Sequence, residues 1–355
     1  GIVRGLPGLS RDHRLLVSLQ DQMALLAEAA PIPFLEALER LLEGDAMAIR
    51  PIFEEQKGLI GSHAYYYGVL WGLEVVAWDP QLLLRASVCL AKLAKIDPGG
   101  TVSNRPINSL RSIFLSWAPN TSANAAQRKG VLAHVLNAVP EVAWDLLVKL
   151  LPRPHDHSSP TQAPVFREFD ESEVLIYAVV WDAQDFVVEQ AIARAGTEPG
   201  RWMTLIDAMS QFPRDGFERV VAGLDLVLGS SAGEARFTVW AALRKEVNKH
   251  RTYAGTDWAV SEEALARIDP LLARFAPQTA VEKCVWLFDG WMPDVPGEVV
   301  SDDPTEAIDA ARHEAVLDVM RESGRQGLIE LAQRSKLPQH VAQAARSLEF
   351  GFDEL

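Results

Sequence analysis

The sequence predicts an all-α protein, an irregular α–α superhelix of helix pairs resembling a HEAT or armadillo solenoid. Three observations carry that expectation. Apolar residues recur about every 3.6 positions along most of the chain, the spacing of one helix face. The breaks between periodic segments are short and hold helix-capping or helix-stopping residues. No segment alternates with the period of two expected of a half-buried strand, and the β-branched pair Val220-Val221 lies inside a helical period.

Residues 80–96 show the pattern most clearly. Leu82, Ala86, Cys89, Leu90, Leu93 and Ile96 share one side of a helix, and Arg85, Lys92 and Lys95 lie opposite. Asp79 supplies a capping carboxylate, Pro80 suits a first turn, and Asp97-Pro98-Gly99-Gly100 ends the segment. The same reasoning predicts helices over 11–29, 33–43, 45–57, 65–78, 80–96, 106–117, 123–138 and 140–151. It predicts further helices over 172–195, 199–212, 214–229, 233–250, 261–275, 279–288, 304–322, 325–335 and 338–349. Asp303-Pro304-Thr305-Glu306 sets a cap, a proline and a reciprocal acid in register for a helix start. The density, about 42 residues per helix pair, is that of helical-pair solenoids. The related stretches ending in Trp78-Asp79, Trp144-Asp145 and Trp181-Asp182 are unequally spaced, so the array is expected to be irregular.

Four prolines and a Ser-Ser-Pro-Thr run exclude helix from 152–169. The expected organisation is an N-terminal helical array over 1–152, a proline-rich connecting loop over 153–171 and a C-terminal helical array over 172–355. A second irregular stretch covers 289–303.

The chain has 355 residues, 48% hydrophobic and 23% charged, a globular composition. Its net charge of −14 argues against nucleic acid as a partner. The local cations Arg244, Lys245, Lys249, His250 and Arg251 fall where a helix ends, and are read as charges facing the negative end of its dipole. No run of 18 apolar residues exists, so no membrane span is expected. Cys89 and Cys284 lie in apolar helical patterns, are expected to be buried, and fit a reducing cytoplasm. The opening Gly-Ile-Val-Arg-Gly-Leu has neither an initiator Met nor a signal-peptide core, so the chain is expected to be a segment of a longer protein.

No catalytic residue and no cofactor site is predicted. Gly229-Ser230-Ser231-Ala232-Gly233 has the letters of a nucleophile elbow, but a helix precedes it where a strand is required. His313-Glu314 begins a zinc-helix pattern that Leu317 ends. His155, Asp156 and His157 are the only candidate metal ligands, and a fourth ligand would have to come from elsewhere. The bland reading of that triplet is a solvated polar loop, and the third reading is a binding surface. Candidate partner-binding residues are His155 and His157, Asn104, Arg105 and Asn108 in the Gly99–Asn108 loop, Tyr66 in a run of three tyrosines, and Tyr253 with Trp258. For the Gly99–Asn108 loop a well-bonded structural turn is the bland alternative, and for Tyr253 and Trp258 it is packing back on the helices. The ten tryptophans are expected mostly in the core, any outward-facing one being a contact anchor.

Gly72–Pro80, Ile96–Gly100 with Asn104–Leu110, and Lys249–Arg251 leading to Trp258-Ala259 together resemble the helical region downstream of the NTPase in large bacterial STAND-type proteins, the class that includes the Avs antiviral sensors. The resemblance spans much of 65–290. It implies an N-terminal effector and a nucleotide-binding oligomerisation module elsewhere in the protein, with a helical region such as this one sensing a phage protein. No Gly-x-x-x-x-Gly-Lys-Ser/Thr loop is present, so no ATP-binding residue carries over. The leading expectation is therefore a non-catalytic protein-recognition or scaffolding segment. The alternatives are an autoinhibitory segment packing on its own NTPase and a metal-dependent enzyme using His155 and His157.

Overall fold

Helices form where the apolar periods place them. The computed structural model describes residues 3–6, 8–58, 61–169, 173–296 and 304–348. The chain divides into two compact units. One runs to Arg194 and includes Gln211–Gly216; the other comprises Ala195–Ser210 and the chain from Phe217 onward.

The first unit holds α1 (Arg14–Ser18), α2 (Met23–Ala29), α3 (Pro31–Leu41), α4 (Tyr67–Ala77), α5 (Leu83–Ile96), α6 (Pro106–Phe114), α7 (Ala125–Ala138), α8 (Pro140–Leu150) and α9 (Tyr177–Ala195). Proline opens α3, α6 and α8, at a position whose N–H has no helical partner. α7 starts with a reciprocal cap: the Gln127 N–H donates to Asn124 Oδ1, and the Asn124 N–H donates to Gln127 Oε1, each at 2.9 Å. From α2 to α8, helices pack on their neighbours and on the next helix but one, as α2 does on α4 and α6 on α8. This is the packing of stacked helix pairs, and the fold class is all-α as expected.

α4 is central and buried on nearly every side. A Cβ on Gly68 would stand 2.3 Å from the Gln20 carbonyl oxygen, and one on Gly72 would stand 2.8 Å from the Phe34 ring. Only glycine allows these approaches. They carry α4 deep into the unit, and Glu74 goes with it.

The second unit holds α10 (Pro199–Ala208), most of α11 (Arg214–Ser230), α12 (Gly233–Thr252), α13 (Glu262–Leu265), α14 (Asp269–Arg274), α15 (Ala280–Cys284), α16 (Pro304–Arg334) and α17 (Pro338–Ala344). α10 packs on α12, with the Trp202 ring filling the space that a side chain at Gly223 would need. Phe288, Val316, Val319 and Leu331 anchor a core between α15, α16 and α17. Gly324 breaks α16 with φ 59° and ψ −154°, at the predicted gap between 304–322 and 325–335.

Several expectations are corrected. Residues 45–57 are not one helix: Pro51 interrupts the period, a 3-10 turn covers Arg50–Phe53, and a small hairpin follows. Its strands β1 (Gln56–Gly58) and β2 (Gly61–His63) pair antiparallel, with Lys57 opposite Ser62. The 261–275 helix divides into α13 and α14, with Pro270 in the first turn of the second. Cys89 and Cys284, by contrast, are both buried as expected, and burial pushes each thiol up to about 12. Trp181 is exposed although its period suggested core. The proline-rich segment falls within the first compact unit.

Candidate binding groove

The proline-rich segment lies along the first unit as a strap without regular secondary structure, held by buried carboxylates. Glu28 on α2 accepts the backbone N–H groups of Val165, Phe166 and Arg167 at 3.0, 2.5 and 2.7 Å. Burial alone would raise the pKa of this carboxyl; the three backbone donors outweigh burial and hold it below its ordinary range. Glu74 on α4 accepts the Gln162 N–H at 2.8 Å on one oxygen and the Ser109 hydroxyl at 2.5 Å on the other. Here burial wins, and the pKa is raised. Backbone outside a helix or sheet has no ladder partners for its N–H groups, so the strap needs such acceptors to lie on the array.

Arg111 on α6 fastens the start of the strap. It donates to the Lys149 carbonyl at the end of α8 (3.1 Å), to the His157 carbonyl (3.0 Å) and to Asp156 Oδ1 (2.5 Å). Trp117 Nε1 donates to the other Asp156 oxygen at 3.3 Å. Asp156 is thus committed to holding the strap.

Between the strap, α4, α6 and the end of α8 lies a groove of about 800 Å³. That volume is in the range of ligand-binding clefts. Trp71 and Glu74 lie on its α4 side, Asn104 and Asn108 on the turn into α6, and Lys149 and Arg153 at the end of α8. Its remaining wall is the strap, including Asp156 and His157. Both Glu74 oxygens are occupied, so the groove presents no free general base at that carboxylate.

The structure gathers some predicted residues and removes others. Asn104, Asn108, Asp156 and His157 share the groove. His155 is exposed at φ 53° and is not among the groove's lining residues. Within the triplet His155-Asp156-His157, Asp156 is taken up by Arg111 and Trp117, and among the described residues no group of three His, Cys, Asp or Glu side chains is placed to hold a metal ion.

Arg105 and Tyr66 lie inside the first unit, Arg105 in the well-bonded turn that was the alternative reading of its loop. Arg105 is buried and pairs with Glu55 and with Asp97, the latter at 2.9 Å, and donates to the Val102 carbonyl at 2.9 Å. Tyr66 is fully buried, 5.4 Å beneath the Arg105 guanidinium and 5.0 Å from the Phe53 ring. Glu55 also accepts the Thr101 N–H and hydroxyl, and these donors, with Arg105 nearby, bring its carboxyl down to about 2. This cluster fixes the 97–105 turn and so the position of Asn104 and Asn108. Gly100, at φ 153°, leaves room where a Cβ would strike Glu55 and Arg105.

In the second unit Tyr253 and Trp258 are both about half exposed, with ring centroids 5.5 Å apart. Trp258 also lies against His250 at 5.5 Å. The Val260 N–H donates to His250 Nδ1 at 3.2 Å, so Nε2 carries the proton and donates to Glu246 at 2.9 Å. Both ring nitrogens are used to hold the 253–260 turn. The neighbouring cations are committed as well: Lys249 pairs with Glu246, Arg251 with Glu262 and Asp269, and Arg244 lies 4.0 Å over the Trp286 ring. Ser230 ends α11 and Gly233 begins α12 with φ 54°, so the elbow-like motif is a helix–turn–helix break.

Glu28, Glu74, Arg111 and Lys149 were not singled out from sequence. Glu74 carried a signal: it is the one charged residue between Tyr65 and Trp78. Glu28, Arg111 and Lys149 sit in ordinary amphipathic patterns. Comparison of the chain with protein families, with curated proteins and with solved structures finds no match.

Proposed function

We propose that this chain is a non-catalytic protein-recognition segment of a larger protein, and that the first unit's groove is its binding element. The groove itself carries the reading: a cleft of about 800 Å³ whose walls are fixed by Glu28, Glu74 and Arg111 and whose lining is polar with one tryptophan. A preorganised cleft loses little freedom on binding, which favours recognition. Among the described residues no helix is long and apolar enough to cross a membrane. The resemblance to the helical regions of STAND-type NTPases supports a wider proposal, in which the parent protein is a cytoplasmic antiphage NTPase that senses a viral protein through this segment.

The direct test is selection of a random peptide library on the purified chain and on a Trp71→Ala, Asn108→Ala variant. Peptides enriched by the first and lost on the second support groove-based recognition. Enrichment that ignores the substitutions, or none at all, overturns it. For the wider proposal, the same substitutions in the full-length protein should abolish phage resistance at unchanged expression; undiminished resistance contradicts it.

A further inference from the structure

The charged residues lining the groove are three cations, Arg111, Lys149 and Arg153, against two carboxylates, Glu74 and Asp156. Arg111 is answered by Asp156 at 2.5 Å, and both Glu74 oxygens are held by Ser109 and Gln162. Lys149 and Arg153 have no carboxylate partner among the described residues; Arg153 spends one guanidinium nitrogen on the Val148 carbonyl at 2.7 Å. The two cations stand four positions apart at one end of the groove, in a chain whose net charge is −14. Uncompensated cations at a cleft in an otherwise acidic protein select for a negative ligand.

The opposite wall points to the rest of that ligand. The Asn108 amide nitrogen donates to the Ser103 carbonyl at 2.8 Å, which turns its oxygen outward as an acceptor. Asn104 adds a second side-chain amide, and the buried Thr161 hydroxyl has no hydrogen-bond partner. Side-chain amides offer a donor and an acceptor together, the complement of a peptide main chain. The neighbouring wall, Asp156 to Gln162, is itself a peptide segment without regular secondary structure lying along this surface.

We infer that the groove binds an acidic peptide segment, with side-chain carboxylates at Lys149 and Arg153 and its main chain against Asn104, Asn108 and Thr161. The inference rests on the recognition reading above and deepens it by naming the ligand's chemistry.

The test uses the full chain and an acetylated, amidated, fluorescein-labelled hexaglutamate, followed by fluorescence anisotropy at low salt. Saturable binding is expected, weakening as salt rises. Lys149→Glu and Arg153→Glu should each weaken it by about tenfold, and Lys149→Gln by less, with circular dichroism confirming an unchanged fold. Hexaglutamine should not compete. Binding undiminished in both charge reversals, or no saturable binding, overturns the inference. Competition by inorganic phosphate as effective as that by hexaglutamate also overturns it, leaving only a general anion site. Groove-dependent selection of neutral or basic library peptides would sink the acidic-ligand inference while leaving the recognition reading intact; absence of any groove-dependent peptide would sink both.

Discussion

The Glu28 carboxylate accepts the backbone N–H of Phe166 at 2.5 Å across 138 positions of sequence. With the Val165 and Arg167 donors it forms the fastening at the far end of the strap. Glu28→Ala removes three charge-assisted bonds and is expected to cost about 1–3 kcal/mol. Limited trypsin digestion should then cut after Arg167 faster than in the parent chain. Equal cleavage rates would show that the strap is held by other contacts.

Glu74 should make stability respond to pH in the opposite sense to most carboxyls. In the unfolded chain it titrates at about 4.5, and in the fold burial raises its pKa. The folded state therefore binds the proton more tightly, so stability falls as pH rises from 4.5 through the raised value. Glu74→Gln keeps an acceptor for the Gln162 N–H and removes the charge. Its melting temperature should vary less with pH over that window; an unchanged profile contradicts the assignment.

Glu55 behaves conversely. Its carboxyl lies at about 2 in the fold against 4.5 when unfolded, so its contribution is complete above 4.5 and is lost as pH falls toward 2. Acid titration of Glu55→Gln should show a shallower loss of stability between those limits. Arg105→Ala, which leaves Glu55 and Asp97 without their buried partner, should cost about 3 kcal/mol or more by chemical denaturation. A change within experimental error would contradict a structural role for this ion-pair cluster.

Gly68→Ala tests the central placement of α4. The added methyl would meet the Gln20 backbone, which cannot rotate away as a side chain could. Overpacking of this kind costs about 1–3 kcal/mol, seen as a lowered melting temperature. No loss would mean that α4 and the Gln20 turn are farther apart.

Much of the helical plan is legible in sequence because periodicity and caps are local. The Asn124–Gln127 box, the prolines opening helices and the glycine break at Gly324 all act within a few residues. The hairpin after Pro51 was missed because one face of a short segment can mimic a helical period. The groove was half legible. Asn104, Asn108 and the 155–157 triplet stood out as polar groups that a plain connector does not need. Glu28 and Glu74 could not be assigned, because their partners lie 137 and 88 positions away and are backbone N–H groups, which leave no mark in residue type. For Arg105 the sequence allowed both a contact residue and a well-bonded turn, and the residues that pack on it, Tyr66, Glu55 and Asp97, are not marked as its partners by sequence.

Recognition through the groove is most directly measured by peptide-library selection on the parent chain beside the Trp71→Ala, Asn108→Ala variant. Groove recognition predicts a family of enriched peptides that the variant no longer retains, although it folds as the parent does. Equal retention by both proteins would contradict it.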